Sequence, residues 1–203
     1  MIICDAPQGT KEWRQCRCGI PSASEFDKIV TSEGKPSKQR TKYLYRLAGE
    51  RASGIVEESY QNGDMLRGKE MEDEARQLYS LMYKVKIQQV GFCKVAGKVI
   101  YGCSPDGLIG KSGLIEIKCP KMEVHVGYLM DNTLPTDYFQ QIQGQLLVTG
   151  RKFVDFVSYY PGIKPLIIRA YRDKKFLKLL EPELLEFCNE LTQMAKKIKQ
   201  GAK

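Results

Sequence analysis

The sequence lacks the long apolar segments of a membrane-spanning or exported protein. It contains no run of about 18 apolar residues, the length that a membrane-spanning helix requires. The segment from Met1 to Gly9 has neither the cationic start nor the apolar core of a secretory signal. We therefore expect a cytoplasmic protein with no membrane partner.

Histidine and paired cysteines are scarce as well. His125 is the only histidine, which excludes a histidine nucleophile or a cage of histidines around a metal. The cysteines contain no pair of C-x-x-C motifs, and only Cys188 follows Cys119, which excludes a C-terminal iron–sulfur cluster. In the expected compartment, all seven thiols are predicted to be reduced.

The composition favours one folded domain with a basic surface. Hydrophobic residues make up 42% of the 203 residues and charged residues 28%, a balance that argues against disorder. Basic side chains outnumber acidic ones by 32 to 24, which gives a formal charge of +8 and favours a polyanionic partner such as nucleic acid. We divide the single domain (1–203) into N-terminal helices (1–60), a core (61–172) and a C-terminal helix (173–203).

Hydrophobic periodicity and capping signals predict a mixed α/β fold with a largely central sheet. Ser22 to Glu25 matches a capping box, which would start a helix there. The clearest long helix has an apolar stripe that includes Ala75 and Met82. The predicted helices cover residues 10–17, 22–30, 41–52, 64–83, 123–130, 136–148 and 173–200, and the predicted strands cover 85–101 (two strands), 107–112, 113–119, 153–159 and 165–171.

Two carboxylates and a lysine converge in the middle of the sequence. Asp106 follows Pro105, and after nine intervening residues Glu116 and Lys118 lie in a strand bounded by apolar residues. Side chains alternate along a strand, so Glu116 and Lys118 share one face and the neighbouring isoleucines share the other. Glycines between the two segments permit a tight return, which is expected to bring Asp106 close to Glu116.

This group of residues predicts a magnesium-dependent phosphodiester hydrolase. Magnesium prefers oxygen ligands and keeps several waters, so Asp106, Glu116 and the carbonyl oxygen of Ile117 are expected to hold the metal. Lys118 is expected to orient or deprotonate the attacking water and to stabilise the transition state. The alternative is an exposed hairpin with an incidental Glu-x-Lys pair, but Pro-Asp at this spacing is much more specific than Glu-x-Lys alone.

The pattern from Pro105 to Lys118 resembles the PD-(D/E)xK signature of nucleases with the restriction-endonuclease-like fold. More narrowly, the chain resembles the phage lambda exonuclease family, also called YqaJ-type viral recombinases, from about Trp13 to Thr149. Four motifs carry this resemblance, in the order Trp13…Arg17-x-Gly19-Ile20-x-Ser22-Ala23-Ser24-Glu25, Gly68-Lys69…Glu72…Ala75-Arg76, Ser104-Pro105-Asp106-Gly107-Leu108…Glu116-x-Lys118-Cys119-Pro120, and Tyr138…Gln141-x-Gln143 as far as Val148-Thr149.

The resemblance implies a restriction-endonuclease-like core, in which a central mixed β-sheet is flanked by helices. It implies a magnesium-dependent 5′→3′ exodeoxyribonuclease that acts on double-stranded DNA ends, hydrolyses one strand to mononucleotides and leaves a 3′ single strand for recombination by strand annealing. A ring-shaped homotrimer, a single-strand annealing protein as partner, and a bacterial or phage-infected host cell are implied as well. We expect two magnesium ions per active site, with manganese as a substitute.

The resemblance also implies two further active-site residues. Glu72 matches a helix glutamate that binds metal and takes part in catalysis, and its place at the edge of an apolar stripe suits an inward carboxylate. Gln141 matches an active-site glutamine, and Gln145 lies one helical turn later on the same face. The alternatives are a half-exposed glutamate and a solvated row of glutamines.

Other matched residues are expected to bind the DNA end. Arg17, Ser22 and Ser24 match a pocket for the terminal 5′-phosphate within the N-terminal helices (1–60), a role that suits a guanidinium fork and a helix N-terminus. For Ser22, helix capping alone is the alternative. Gln143 is expected to contact DNA. Residues 65 and 66, a methionine and a leucine that precede Glu72 in the sequence, are hypothesised to wedge the terminal base pair apart.

Two other functions compete with the exonuclease. A PD-(D/E)xK endonuclease of the restriction or junction-resolving type would use the same three residues, but a pocket for a DNA end is of no use to an enzyme that cuts internally. A non-enzymatic DNA-binding module is disfavoured, because such a relative would be expected to have lost Asp106, Glu116 or Lys118, and all three are present.

Overall fold

The computed structural model of the protein describes residues 1–56, 63–97 and 99–201, apart from the side chains of residues 64, 65, 66 and 69. Within these ranges the helices are α1 (Lys11–Arg17), α2 (Arg40–Ser53), α3 (Gly63–Tyr83), α4 (Met122–Asp131), α5 (Phe139–Thr149) and α6 (Lys174–Gly201), with short 3₁₀ helices at Ala23–Lys28 and Thr136–Tyr138. The strands are β1 (Ile2–Cys4), β2 (Ile87–Gln88), β3 (Phe92–Lys94), β4 (Gly102–Cys103), β5 (Gly107–Ile109), β6 (Gly113–Lys118), β7 (Phe153–Ser158) and β8 (Leu166–Tyr171).

Five strands form a mixed sheet in the order β2-β5-β6-β7-β8. β6 pairs with β7 in parallel, while the other neighbours are antiparallel. The central strand β6 has the sequence Gly-Leu-Ile-Glu-Ile-Lys, and its β-branched isoleucines favour an extended backbone. Helices cover both faces of the sheet, so the predicted mixed α/β fold with flanking helices is confirmed.

Both faces of β6 are buried. Leu114 lies in the main core with Ile142 of α5 and Leu184 of α6. On the other face, Ile115 packs with Tyr79 of α3 in a second, smaller core. The side of β6 that carries the charged residues is therefore a core face as well, and any charge on it needs partners inside the protein.

Helix α3 is fixed to the sheet by buried polar contacts as well as by packing. Asp155 of β7 is buried, and it accepts two hydrogen bonds from Arg169, at 2.7 and 2.8 Å, and a third from the hydroxyl of Tyr79. Just beyond the end of β7, the Tyr159 hydroxyl donates to Glu74 at 2.5 Å. These contacts set the height and rotation of α3 over the sheet.

A second sheet, in the order β1-β3-β4, was not predicted from the sequence. Ile2 pairs with Lys94, so this sheet joins the two ends of a long stretch of chain. Gly91 has no room for a side chain, because a Cβ there would lie 2.1 Å from the carbonyl oxygen of Ala6. The N-terminal segment therefore packs directly on the backbone that leads into β3.

Two cysteines of the N-terminal region are joined. Cys4 of β1 and Cys16 of α1 form a disulfide, so the expectation that all seven thiols are reduced is wrong for this pair. The bond ties α1 to the small sheet. The other cysteines are free, namely Cys18, Cys93, Cys103, Cys119 and Cys188.

The segment that follows Ser22 is a 3₁₀ helix and not the predicted α-helix. The side chain of Ser22 makes no capping hydrogen bond, and the Glu25 carboxylate is bound by Lys28 and Arg46. The predicted capping box is therefore wrong, because two basic side chains take the carboxylate that would have capped the backbone. The division of the chain at residues 60 and 172 stays a prediction. None of the described helices is both long and apolar enough to cross a membrane.

Candidate active site

The β5–β6 hairpin brings Asp106 next to Glu116. Gly107 pairs with Ile115, and Asp106 lies one residue beyond that pair, beside Glu116. The Oδ2 atom of Asp106 accepts a hydrogen bond from the backbone N–H of Ile117 at 2.6 Å. Position 107 has no room for a side chain, because a Cβ there would lie 2.1 Å from Ile87 of the neighbouring strand β2, and Gly110, with a φ of 49°, lies in the turn between β5 and β6.

Glu116 is held by three donors. It is 2% exposed, and its Oε1 atom lies 2.7 Å from Lys118 Nζ. Gln141 donates to the same oxygen at 2.5 Å, while Gln145 donates to Oε2 at 2.6 Å. Three charge-assisted contacts compensate for burial of the carboxylate and fix its orientation.

Lys118 is a cation in this arrangement. Burial opposes its charge, but the carboxylates of Glu116 and Asp106 raise the pKa of Lys118 above its ordinary value. The ammonium also lies 5.0 Å from the centre of the Tyr138 ring, where a cation is attracted to the ring face. A protonated lysine suits stabilisation of negative charge and orientation of water better than it suits removal of a proton.

Glu72 reaches the same site from α3. Its carboxylate is bound by Arg76, whose Nε also donates to the carbonyl oxygen of Asp106 at 3.2 Å. Burial raises the pKa of Asp106 well above its ordinary value, and the charges of Glu116 and Glu72 raise it further. Negative charge is therefore crowded here beyond what the nearby cations neutralise.

A cavity of about 750 Å³ opens over these residues. Its wall combines charged groups with two aromatic rings, and it includes Trp13, Glu72, Arg76, Asp106, Lys118 and Tyr138. Ile117 lines it as well. A polar substrate in the cavity can therefore contact both carboxylates and cationic side chains of the site.

The donor set suits magnesium more than a metal that needs a full protein cage. Among the described residues, no three His, Cys, Asp or Glu side chains come together as a ready-made metal site. Magnesium requires only one or two carboxylates, because it keeps several waters. Asp106, whose Oδ1 has no hydrogen-bond donor among the described residues, and Glu116 meet that requirement, and the crowded negative charge would be relieved by a divalent cation.

Arg17 contacts a residue of the cavity wall. Its guanidinium stacks over the Trp13 ring at 4.2 Å, and Trp13 itself lines the cavity. The indole N–H of Trp13 donates to Ser104 Oγ at 3.0 Å, which holds the ring against the Pro-Asp segment. Burial lowers the pKa of Arg17 from its very high ordinary value. Among the described residues, no atom accepts a hydrogen bond from this guanidinium, so its donors are available to an anion.

The two predicted serines lie in different environments. Ser22 is buried, and its backbone N–H donates to the Tyr43 hydroxyl at 3.1 Å. Ser24 is exposed, and its hydroxyl donates to Ser22 Oγ at 3.4 Å. Ser24 is therefore the more accessible hydroxyl for a ligand.

The predicted glutamines separate into two groups. Gln141 contacts Glu116, as described above, but Gln143 does not lie at the site. Gln143 is buried, its Nε2 donates to the carbonyl oxygen of Tyr171 at 2.9 Å, and its oxygen accepts from the N–H of Asp173 at 2.8 Å. The expectation that Gln143 contacts DNA does not fit this position, because both ends of its amide tie α5 to the start of α6.

Sequence reasoning assigned no role to two residues of the site. Gln145 contacts Glu116, and although its shared helix face with Gln141 was recognised, that spacing was not used to place it in the site. Tyr138 lies against Lys118, and no local pattern indicates that contact. The side chains of the proposed wedge, residues 65 and 66, lie outside the described part of the chain. His125 is buried, with its ring nitrogens 2.7 Å from Ser158 Oγ and 3.1 Å from the carbonyl oxygen of Lys164, which fits a structural role.

The fold and site together define a class of protein. A mixed sheet carries two carboxylates and a lysine on one hairpin, in the PD-(D/E)xK arrangement, and a third carboxylate comes from a flanking helix. The chain belongs to the family of the YqaJ-like viral recombinase domain, whose model matches residues 12–152. The resemblance to this family is thereby confirmed.

Solved structures agree with this assignment. An alkaline exonuclease from Laribacter hongkongensis is 32% identical to the chain, with a TM-score of 0.85 over 95% of this chain and 98% of the other, and it has also been solved in complex with dAMP. A phage-related exonuclease from Haemophilus somnus shares the fold at 14% identity, with a TM-score of 0.68 over 88% of this chain and 96% of the other. A comparison with curated proteins gave no match. The family and its solved relatives support the prediction of a nuclease.

Proposed function

We propose that this protein is a magnesium-dependent 5′→3′ exodeoxyribonuclease that acts on double-stranded DNA ends. In this proposal it hydrolyses one strand to mononucleotides and leaves a 3′ single strand for recombination by strand annealing. The observation that carries the proposal is the convergence of Asp106, Lys118 and Glu72 at one cavity, where Lys118 is paired with the buried Glu116 and Arg17 stacks on Trp13 of the cavity wall.

The carboxylates are the groups that would hold magnesium. Asp106 and Glu116 are the proposed ligands, with the carbonyl oxygen of Ile117 beside them and Glu72 as a further ligand, direct or through water. The chemistry that bound magnesium supplies is neutralisation of charge at the scissile phosphate and a water acidic enough to act as nucleophile. A second ion and substitution by manganese belong to the same proposal.

The protein's own cations and amides do the rest. Lys118 keeps its proton, so that its ammonium can orient the attacking water and stabilise the extra negative charge of the transition state. Gln141 holds Glu116 in place through Oε1. Arg76 fixes the position of Glu72 relative to the backbone of Asp106.

End recognition is assigned to Arg17. A guanidinium with free donors, beside the cavity, suits the bidentate binding of a terminal 5′-phosphate, and Ser24 offers an accessible hydroxyl next to it. A site for a chain end favours an exonuclease over an endonuclease. The relative solved with dAMP holds a mononucleotide, which is the chemical class of product proposed for this chain.

The direct test is digestion of linear duplexes labelled at the 5′ or the 3′ end of one strand, with magnesium present. We expect the 5′ label to be released early as a mononucleotide, while the 3′ label stays in a shortening strand. Covalently closed circular duplex should remain intact, and the Asp106→Ala variant serves as the inactive control. Early release of the 3′ label would contradict the polarity, and cleavage of the circle would favour the endonuclease.

Assembly and partner form a second part of the proposal. We expect a ring-shaped homotrimer that acts with a single-strand annealing protein in the cytoplasm of a bacterial or phage-infected cell. Sedimentation equilibrium should give a mass of about three times 23.1 kDa. A mass equal to that of one chain at working concentration would contradict the ring.

A further inference from the structure

Gln8, in the segment before α1, lies in the wall of the active-site cavity and contacts the backbone just before Asp106. Its Nε2 atom donates to the carbonyl oxygen of Pro105 at 2.9 Å and to that of Val90 at 3.1 Å. With one hydrogen directed to each carbonyl, the amide has only its acceptor oxygen left. An acceptor oxygen does not suit a phosphate, so these contacts indicate a role in holding the site and not in binding DNA.

The carbonyl of Pro105 is coupled directly to the position of Asp106. A peptide group is planar, so the oxygen of Pro105 lies in one plane with the nitrogen and the Cα atom of Asp106. Residues 104–106 lie between β4 and β5, outside the strands of both sheets. The hydrogen bond from Gln8 therefore orients the peptide plane on the N-terminal side of Asp106 at a point where the chain is not part of a strand.

Asp106 is held from two other directions as well. Arg76 of α3 donates from Nε to the carbonyl oxygen of Asp106 at 3.2 Å, which orients the peptide that follows this residue. The backbone N–H of Ile117 in β6 holds one carboxylate oxygen, Oδ2, at 2.6 Å. With both flanking peptides and one carboxylate oxygen fixed, the direction of the remaining oxygen, Oδ1, is fixed too.

We propose that Gln8 is a positioning residue that holds Asp106 in the orientation needed to bind a divalent metal. The inference rests on the proposed function, in which Asp106 is a ligand of magnesium. Gln8 acts through the Pro105 carbonyl and is itself neither a metal ligand nor a DNA contact. Groups that orient a metal ligand in this way typically contribute about 10- to 100-fold to metal affinity or activity.

The test replaces glutamine by methionine at three positions. Gln8→Met keeps the approximate length of the side chain and removes both hydrogen bonds. Gln15→Met is the matched control, because Gln15 is an exposed glutamine of the nearby helix α1 that does not line the cavity. Gln143→Met is the control for stability, because it removes two hydrogen bonds that tie α5 to the start of α6. Magnesium affinity is measured by titration calorimetry without DNA, and stability by thermal unfolding.

We expect Gln8→Met to bind magnesium about 10-fold or more weakly, because the carboxylate of Asp106 is no longer held in place. The magnesium concentration that gives half of the maximal single-turnover cleavage rate should rise by a similar factor. Gln15→Met should leave both quantities unchanged, and Gln143→Met should lower the melting temperature without a change in magnesium affinity. An unchanged affinity in Gln8→Met would overturn the inference. An equal loss in Gln143→Met would overturn it too, since the effect would then be one of general stability.

The outcomes separate this inference from the proposed function. If the unaltered protein does not bind magnesium, the proposed metal site itself fails. If it binds magnesium and Gln8→Met binds it equally well, only the inference fails. Should Gln8→Met not fold, Gln8→Ala also lacks the donors and adds no apolar chain beside the two carbonyls, and an unchanged magnesium affinity in that variant would overturn the inference in the same way.

Discussion

Replacement of Arg17 by alanine is expected to remove the preference for 5′-phosphorylated DNA ends. The guanidinium is held over Trp13 at 4.2 Å, and none of the described residues accepts its hydrogen bonds. A hydrogen bond to a charged group contributes roughly 1.5–3 kcal/mol. A bidentate contact with a phosphate is therefore worth about 3 kcal/mol, which corresponds to a factor of roughly 100.

The assay is the ratio of kcat/KM for duplexes with a 5′-phosphate to kcat/KM for duplexes with a 5′-hydroxyl. We expect a ratio of roughly 100 for the unaltered protein and near 1 for Arg17→Ala. Arg17→Lys should be intermediate, because it keeps the charge and loses the fork. Lys11→Ala removes the same charge from the exposed start of α1 and should leave the ratio unchanged. An Arg17→Ala protein that still discriminates the two ends would refute the assignment of the pocket.

Three further predictions concern the site and the helix above it. Asp106→Ala and Glu116→Ala should each abolish cleavage but keep salt-dependent DNA binding, measured by fluorescence anisotropy; loss of binding in parallel would contradict separate roles in binding and catalysis. Lys118→Ala should slow cleavage by about 100-fold or more without loss of magnesium affinity, and a near-normal single-turnover rate would exclude its proposed role. Arg169→Ala should lower the free energy of unfolding in urea by about 2 kcal/mol, because buried Asp155 loses its cation; an unchanged midpoint would mean that this ion pair contributes nothing to stability.

The hairpin at the centre of the site was predictable from local sequence. Alternation in β6 and the glycines before it predicted that Asp106 would lie close to Glu116, and the hydrogen bond from Ile117 to Asp106 confirms that this hairpin forms. The prediction succeeded because the two segments are close in sequence and joined by a short turn. Local periodicity also gave the main helices, whose bounds differ from the predicted ones by a few residues.

Features that depend on distant contacts were missed. The three-residue strand β1 pairs with β3 far along the chain, and so short a strand has no periodicity of its own. Cys4 and Cys16 gave no signal of pairing for the same reason. The motif around Gln141 and Gln143 suggested two functional glutamines, but the rotation of α5 directs Gln145 to Glu116 and turns Gln143 towards Tyr171. Only the packing of the helix determines which face meets the sheet.

The most direct measurement of the central claim is anomalous diffraction from crystals of the protein grown with manganese, the expected substitute for magnesium. We expect an anomalous peak within bonding distance of the Asp106 and Glu116 carboxylates and the carbonyl oxygen of Ile117. A peak bound elsewhere in the protein, or crystals that bind manganese nowhere in the cavity, would contradict it.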